Sequence, residues 1–285
     1  YNKKEDYTGG AAIVALHLRA AGAKVTFSTV IGKDVLGKKV LKELKKNKII
    51  VNTYYDNSRP TTNKNTFISS GYRLLKVDTL DNTPISEGTV EKISEQIKKN
   101  NSDIVIFSDF RHGIFHKNST EKFCNFIPKK TYKIADSQVA SRWGNITEFK
   151  NFDLITPNEK EARFALADQD STVGGLVGLL KKKTKPKNII LKLSSRGIVC
   201  TSNRKGEKLV SIGTFADNVL DPVGSGDALL AYSSLILKIT NSIATAGIIG
   251  SIAAACECEI DGNKTITVDL FLKKIDKIKK NTQYN

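Results

Sequence analysis

The sequence predicts a three-layer α/β/α protein with a mostly parallel central sheet and a small antiparallel β lid. Short apolar runs of strand length alternate with longer segments at helical spacing, the pattern of a sheet covered on both faces. Between positions 49 and 80 the periodicity falls to two, as in a half-exposed antiparallel sheet. Late in the chain, Leu220-Asp221-Pro222-Val223-Gly224-Ser225-Gly226-Asp227 turns into the apolar run Ala228 to Leu237, a glycine-bearing loop that opens a helix. At 285 residues the chain can bury a substantial core.

Taken in order, Thr8-Gly9-Gly10 opens a helix through Ala20, with Gly22 as its stop. Val25 to Ile31 reads as a strand, and Gly32-Lys33-Asp34 through Lys48 as a turn and a basic amphipathic helix. Val51 to Tyr55, Asn65 to Ser69 and Tyr72 to Val77 are expected to pair as the lid, around Ser58-Arg59-Pro60-Thr61-Thr62. Ile85 to Asn100 is helical, and Ile104 to Ser108 is a buried strand ending at Asp109, where open α/β sheets carry ligands. Tyr132 to Ala135 ends likewise at Asp136. Phe152 to Thr156 leads to Pro157, expected to start a helix. Asn188 to Leu193 precedes a hairpin of Ile198 to Thr201 with Lys208 to Ile212, and helices over Ile243 to Cys256 and Val268 to Ile278 close the chain.

The net charge of +16 raises nucleic acid as a partner, but only 8 of the 45 basic residues are Arg and the Lys clusters lack interleaved aromatics. Solvated lysine faces account for it, and nucleic acid is not expected. The longest apolar run, Ile248 to Cys256, is too short to span a bilayer, so no membrane partner is expected either. Cys124, Cys200, Cys256 and Cys258 have no zinc spacing and read as reduced thiols of a cytoplasmic protein. His112 and His116, separated by Gly113, read as unrelated loop histidines.

The helix opening at Gly224 admits two readings. A first turn with small residues forms a nest for an anion, and Asp227 inside it suits a base that deprotonates a hydroxyl attacking a phosphoryl group. Alternatively Asp227 only satisfies backbone donors. Asn158 and Glu161, three apart at a helix start, can likewise cap it or hold a metal.

The longer D-P-V-G-S-G-D resembles the D-T-x-G-A-G-D signature of the ribokinase-like (PfkB) carbohydrate kinases, with Pro222 for Thr and Ser225 for Ala. The stretch from Gly9 to Phe27 looks like the amino-terminal region of that family. R-P-T-T followed by R-L-L-K-V-D is similar to the lid of its heptose 7-phosphate kinase subgroup, found as one half of bifunctional kinase/adenylyltransferases. The resemblance runs from about Gly9 to Ile275 and implies a ribokinase-like kinase domain over 1–48 and 81–285 with a lid over 49–80. It implies an ATP-dependent sugar kinase, with heptose 7-phosphate as the leading acceptor, and, as alternatives, a kinase for another sugar or nucleoside or a catalytically silent relative. Its cofactors would be ATP and Mg2+, with a monovalent cation such as K+ as a further candidate, and its partner a second copy through the lid.

Residue by residue, the resemblance makes Asp227 the base and gives the backbone of Gly224, Ser225 and Gly226 the developing charge. Asn158 and Glu161 would serve magnesium, and Lys192, Ser194, Gly197 and Asp221 the nucleotide. Gly9, Gly10, Arg59, Thr61, Thr62, Asp109 and Arg111 would meet the sugar. Three departures stand out. Ser194 replaces the first Gly of K-x-G-x-x-G, the subgroup's S-D-Y-G-K-G becomes Ser108-Asp109-Phe110-Arg111-His112-Gly113 with Arg111 expected to keep the charge, and Ser137-Gln138 follows Asp136 where a cation is usual. The family's first strand is not present before Gly9, so that either the sequence is incomplete or the sheet lacks a strand that helps hold the sugar; the absence of Met leads to the expectation that the sequence lost its start or that modified Met residues were dropped from it.

Overall fold

A computed structural model describes residues 3–69, 72–138, 144, 146–204 and 206–283. In chain order the elements are α1 (Ala11–Ala20), β1 (Thr26–Ile31), α2 (Val35–Lys46), β2 (Ile50–Tyr55), β3 (Asn63–Ser69), β4 (Tyr72–Thr79), α3 (Glu87–Asn100) and β5 (Ile104–Asp109). There follow α4 (Lys117–Phe126), β6 (Tyr132–Ser137), β7 (Leu154–Ile155), α5 (Glu159–Leu166), α6 (Val173–Thr184) and β8 (Asn188–Lys192). The chain continues with β9 (Ile198–Ser202), β10 (Val210–Ile212), α7 (Ser225–Thr240), α8 (Ile243–Cys258) and α9 (Val268–Gln283). The sequence reading assigned neither α4 nor α6.

The main sheet runs β10-β9-β8-β7-β6-β5, with β5 to β8 parallel and β9 and β10 antiparallel. Its strands are apolar on both faces because successive side chains enter different cores. Ile134, Leu154, Ile190 and Cys200 pack against α7, α8 and α9. Their neighbours Ala135, Ile155, Ile189 and Val199 pack against α3, α4, α5 and α6. The second core centres on Phe107, whose ring lies 5.0 Å from Phe115, 5.5 Å from Phe152 and 6.1 Å from both Phe123 and Phe149. Tilted and edge-on rings at such spacings gain quadrupole attraction in addition to burial.

The expected lid pairing requires a correction. β3 and β4 form an antiparallel hairpin, but β2 pairs in parallel with β1, from Thr26↔Ile50 to Ile31↔Tyr55. Residues on this pair join α1 and α2 in a third apolar cluster that includes Leu44 and Ile49. Alternation had identified β2 as a strand; its partner was decided by that buried cluster. The hairpin is therefore the lid proper. Pro157 is likewise corrected: Asn158, not Pro157, caps α5, whose first helical residue is Glu159.

Phe107→Ala is expected to cost about 3–5 kcal/mol, as for large aromatic truncations in packed cores. A lowered denaturant midpoint at unchanged slope would show it, and an unchanged midpoint would mean that the aromatic cluster does not support the fold.

Candidate active site

The carboxyl ends of β5, β6 and β8, the start of α7 and the lid hairpin surround one cleft. Every candidate catalytic, nucleotide, magnesium or sugar residue named from the sequence lines it except Arg111. Gly224 caps α7 at φ 93, a conformation that favours glycine. Its carbonyl accepts from Asp227 N and Ala228 N at 2.9 Å, and Ser225 Oγ donates to Pro222 O at 2.8 Å. The helix thus begins with a tight turn facing the cleft, its positive end toward any bound anion.

Asp227 is 7% exposed in this first turn. Burial, and then the nearby Asp136 carboxylate, push its pKa up to about 8, while Lys192 partly offsets them. Lys192, the last residue of β8, sends Nζ to Asp136 Oδ1 at 2.9 Å. Its backbone N donates to Pro157 O at 2.9 Å, which ties β8 to the loop before α5. Burial alone would lower the Lys192 ammonium; Asp136 and Glu161 outweigh burial and raise it, so the cation persists. Lys192 thus reaches Asp136 across β7, the strand between β8 and β6.

Asn158 and Glu161 form a reciprocal cap on α5. Asn158 N donates to Glu161 Oε2 at 2.6 Å, and Glu161 N donates to Asn158 Oδ1 at 2.8 Å. Burial first, and Asp136 after it, push Glu161 up to about 7. Among the described residues no three His, Cys, Asp or Glu side chains converge as a metal cluster. His112 and His116 do not form one: His116 caps α4, and burial pushes the His112 imidazole down to about 4.

The expected sugar contacts divide into two groups. Arg59 is 7% exposed and spends its guanidinium on Asp56 Oδ2 at 2.8 Å, Thr83 O at 3.1 Å and His112 O at 3.3 Å. Thr61 N donates to Asp34 Oδ2 at 2.7 Å, and Thr61 Oγ1 accepts from Gly32 N at 3.2 Å. Both residues brace the root of the lid. Thr62, by contrast, meets His112 Nδ1 at 3.4 Å, and Lys64 on β3 places Nζ 5.7 Å from the centre of the Phe110 ring. Phe110 also faces Gly10, where a Cβ would come within 4.0 Å of the ring. Gly9 lies nearby, 3.5 Å from Asn263 by the same measure.

Arg111 departs from expectation. At φ 62 it folds back, its Nη1 donating to Phe115 O at 3.2 Å and lying 3.5 Å from Asp109 Oδ2, so it does not offer a free cation to the cleft. Asp109 is itself committed to the loop, accepting from Arg111 N at 2.7 Å and Ser137 Oγ at 2.9 Å. Asp221 is bonded by Arg73 Nη2 of β4 at 2.6 Å, a contact from the lid to the loop before α7. Ser194 and Gly197 both adopt positive φ at the end of β8, 57° and 82°, so Ser194 takes a left-handed geometry that favours glycine.

The sequence reading assigned no role to Asp136, Lys64, Glu257 or Asn263. Lys64 was findable: it lies two residues beyond R-P-T-T, at the start of β3. Glu257 and Asn263 had no such signal, because a helix interior and a loop 6 residues later meet only in the fold.

A family model described as pfkB family carbohydrate kinase matches residues 2–266. Among characterised proteins, the chain is 28% identical over 274 residues to bifunctional protein HldE of Aliarcobacter butzleri, covering 94% of this chain and 56% of that protein. It is 28% identical over 259 residues to HldE of Helicobacter pylori, covering 89% and 55%. The chain thus spans about half the length of these relatives. Among solved structures, phosphofructokinase-2 from Escherichia coli in complex with potassium superposes with a TM-score of 0.79 at 16% identity, covering 98% of this chain and 93% of that one. Ribokinase from Giardia lamblia gives 0.76 at 16% identity, covering 97% and 92%. At these identities the superpositions speak for the fold.

Asp227 also sets a pH dependence. The unfolded chain ionises Asp near pH 3.9 and the native state only near 8, so between about pH 4 and about pH 8 the native state binds more protons and stability falls as pH rises. Asp227→Asn is expected to raise the melting temperature, with a gain over wild type that grows across that window. A gain independent of pH would mean that Asp227 is not a protonated buried acid.

Proposed function

The chain belongs to the pfkB family of carbohydrate kinases, and from that premise we propose that it transfers the terminal phosphoryl group of ATP to a hydroxyl of a sugar or sugar phosphate. The leading acceptor is heptose 7-phosphate at its anomeric hydroxyl, a reading supported by the HldE relatives and the R-P-T-T lid segment. One observation carries the mechanism: a buried acid, Asp227, in the first turn of α7 beside a retained ammonium, Lys192.

In this mechanism Asp227 takes the proton of the attacking hydroxyl, and the turn Gly224-Ser225-Gly226 with Lys192 faces the charge on the transferred group. All of these residues line the one cleft; in this reading Lys192, Ser194, Gly197 and Asp221 would meet the nucleotide and Gly9, Gly10, Thr62, Asp109 and Lys64 the acceptor, with Arg59 and Thr61 acting through the lid root. Magnesium bound with ATP would neutralise phosphate charge. The α5 cap occupies Asn158 Oδ1 and Glu161 Oε2, so these two residues fit contacts to the ion's waters.

For a monovalent cation the residues also fit. Glu257 is fully buried, and among the described residues neither carboxylate oxygen has a partner in good hydrogen-bond geometry; nor has Asn263 Oδ1. A Cβ on Gly224 would meet Asn263 Oδ1 at 2.4 Å and Glu257 Oε1 at 2.8 Å, so both oxygens converge on the turn. Burial pushes Glu257 up to about 7, and the Lys264 amide draws it partway back. An oxygen-preferring cation would satisfy this set. The lid hairpin exposes Ile68, Tyr72, Leu74 and Leu75, which supports pairing with a second copy.

A second reading, with another sugar or a nucleoside as acceptor, is favoured by the folded-back Arg111, which removes one cation from the acceptor side.

Magnesium-dependent ATP consumption is expected with heptose 7-phosphate and not with unphosphorylated sugars or nucleosides; turnover confined to one of the latter would select the second reading. Asp227→Asn is expected to lose about 10²- to 10⁴-fold in turnover with nucleotide binding retained, and wild-type kcat/KM to climb with pH through about 8. Near-normal turnover would remove Asp227 from the mechanism. Potassium is expected to raise the melting temperature relative to a bulky organic cation, and Glu257→Gln to abolish that rise; an equal rise in the variant would place the ion elsewhere.

A further inference from the structure

Asp136 stands near the carboxyl end of β6, 4% exposed, beside a turn suited to an anion. A buried carboxylate there opposes both the ionisation of Asp227 and the approach of a phosphoryl group. Its contacts give it a compensating task. Oδ1 accepts from Thr156 Oγ1 at 2.9 Å and from Lys192 Nζ at 2.9 Å. Thr156 is fully buried just beyond β7, so the carboxylate is anchored independently of the lysine.

The Lys192 side chain then lies along the first turn of α7. A Cβ on Gly226 would come within 3.3 Å of Lys192 Nζ, 3.8 Å of Cδ and 3.9 Å of Cε. Glycine at this position therefore admits the lysine stem. Without an anchor such a stem samples many rotamers, which would blur the position of its charge. The charged groups facing Asp227 are Asp136 on β6, Glu161 on α5, Glu257 on α8, Lys192 on β8 and Lys64 on β3. Of the two cations, Lys64 belongs to the lid, and only Lys192 is carried by the central sheet.

We infer that Asp136 is a positioning residue for phosphoryl transfer: with Thr156 it holds the Lys192 ammonium where it faces Asp227 on one side and the transferred group on the other. This rests on the kinase reading above. Asp136 acts through Lys192 and touches no reacting atom itself.

The test compares Asp136→Asn, Lys192→Met, Lys192→Arg and the Asp136→Asn/Lys192→Met double variant in the full chain, using an acceptor that the wild type phosphorylates. Rates are taken across a pH series and compared on each variant's own plateau above the ionisation of Asp227, because loss of the Lys192 cation raises the proton affinity of Asp227 and loss of Asp136 lowers it. Lys192→Met is expected to lower kcat by about 10²- to 10³-fold, the range for loss of one charge-stabilising group. Asp136→Asn is expected to lower it about tenfold with both KM values within about threefold and an undiminished melting temperature. Lys192→Arg recovers part of the loss, and the double variant is no slower than Lys192→Met alone, as expected for groups that act as a unit. Wild-type kcat in Asp136→Asn, or a loss matched by raised KM and a lowered melting temperature, overturns the inference. A wild-type protein that turns over no acceptor overturns the kinase reading first and the inference with it, a result distinguishable from the other two.

Discussion

The ion pair between Lys192 and Asp136 is the contact on which the cleft depends. Three carboxylates, Asp136, Glu161 and Asp227, crowd the carboxyl ends of the parallel strands, where the Asp136 charge raises the proton affinity of Glu161 and Asp227. A single ammonium from β8 lies among them, and burial that would discharge a lone lysine is outweighed by its acidic neighbours. The fold supplies these groups from β6, α5, α7 and β8, elements that meet only because right-handed β-α crossovers bring successive strand ends to one edge of the sheet. The glycines of the loop before α7 fit the same arrangement. Gly224 takes a left-handed conformation, and Gly226 leaves room for the lysine stem.

The lid depends on a second buried cation. Arg59 binds the Asp56 side chain and two carbonyls from the 83 and 112 regions, while Asp34 caps α2 and also accepts from Thr61 N. The root of the hairpin is thereby fastened to α2, to the loop before α3 and to the loop after β5. The hairpin beyond the root is mostly exposed, with Arg73 reaching Asp221 in the loop before α7. An exposed pair of this kind is worth about 0–1 kcal/mol, small enough for a lid to open and close around it.

The departures from the family pattern gain physical meaning in three dimensions. The loop after β5 lacks the subgroup lysine, and Arg111 does not replace it, because its guanidinium is held within the loop by the Phe115 carbonyl and Asp109. Ser137 and Gln138 bring no cation beside Asp136, whose partner is Lys192, the first residue of the K-x-G-x-x-G pattern. Ser194 keeps the left-handed backbone in place of glycine. The left-handed backbone is thus kept at Ser194, while the loop after β5 holds its arginine inward.

Periodicity in the chain was sufficient to place most strands and helices, since alternation and helical spacing are local signals of burial. The loop from Leu220 to Asp227 was legible as well, because Pro222, Gly224 and Gly226 constrain the backbone whatever surrounds them. Tertiary structure decided what local pattern does not encode. It paired β2 with β1 instead of β3, turned Arg59 and Thr61 into braces and Arg111 inward, and resolved Asn158 and Glu161 as a reciprocal cap. It also brought Asp136 to Lys192, 56 residues away, and Glu257 and Asn263 to Gly224. The reason is one of range: backbone preference and burial period act over a few residues, whereas partners of buried charges are chosen by which strand ends and loops the folded sheet brings together.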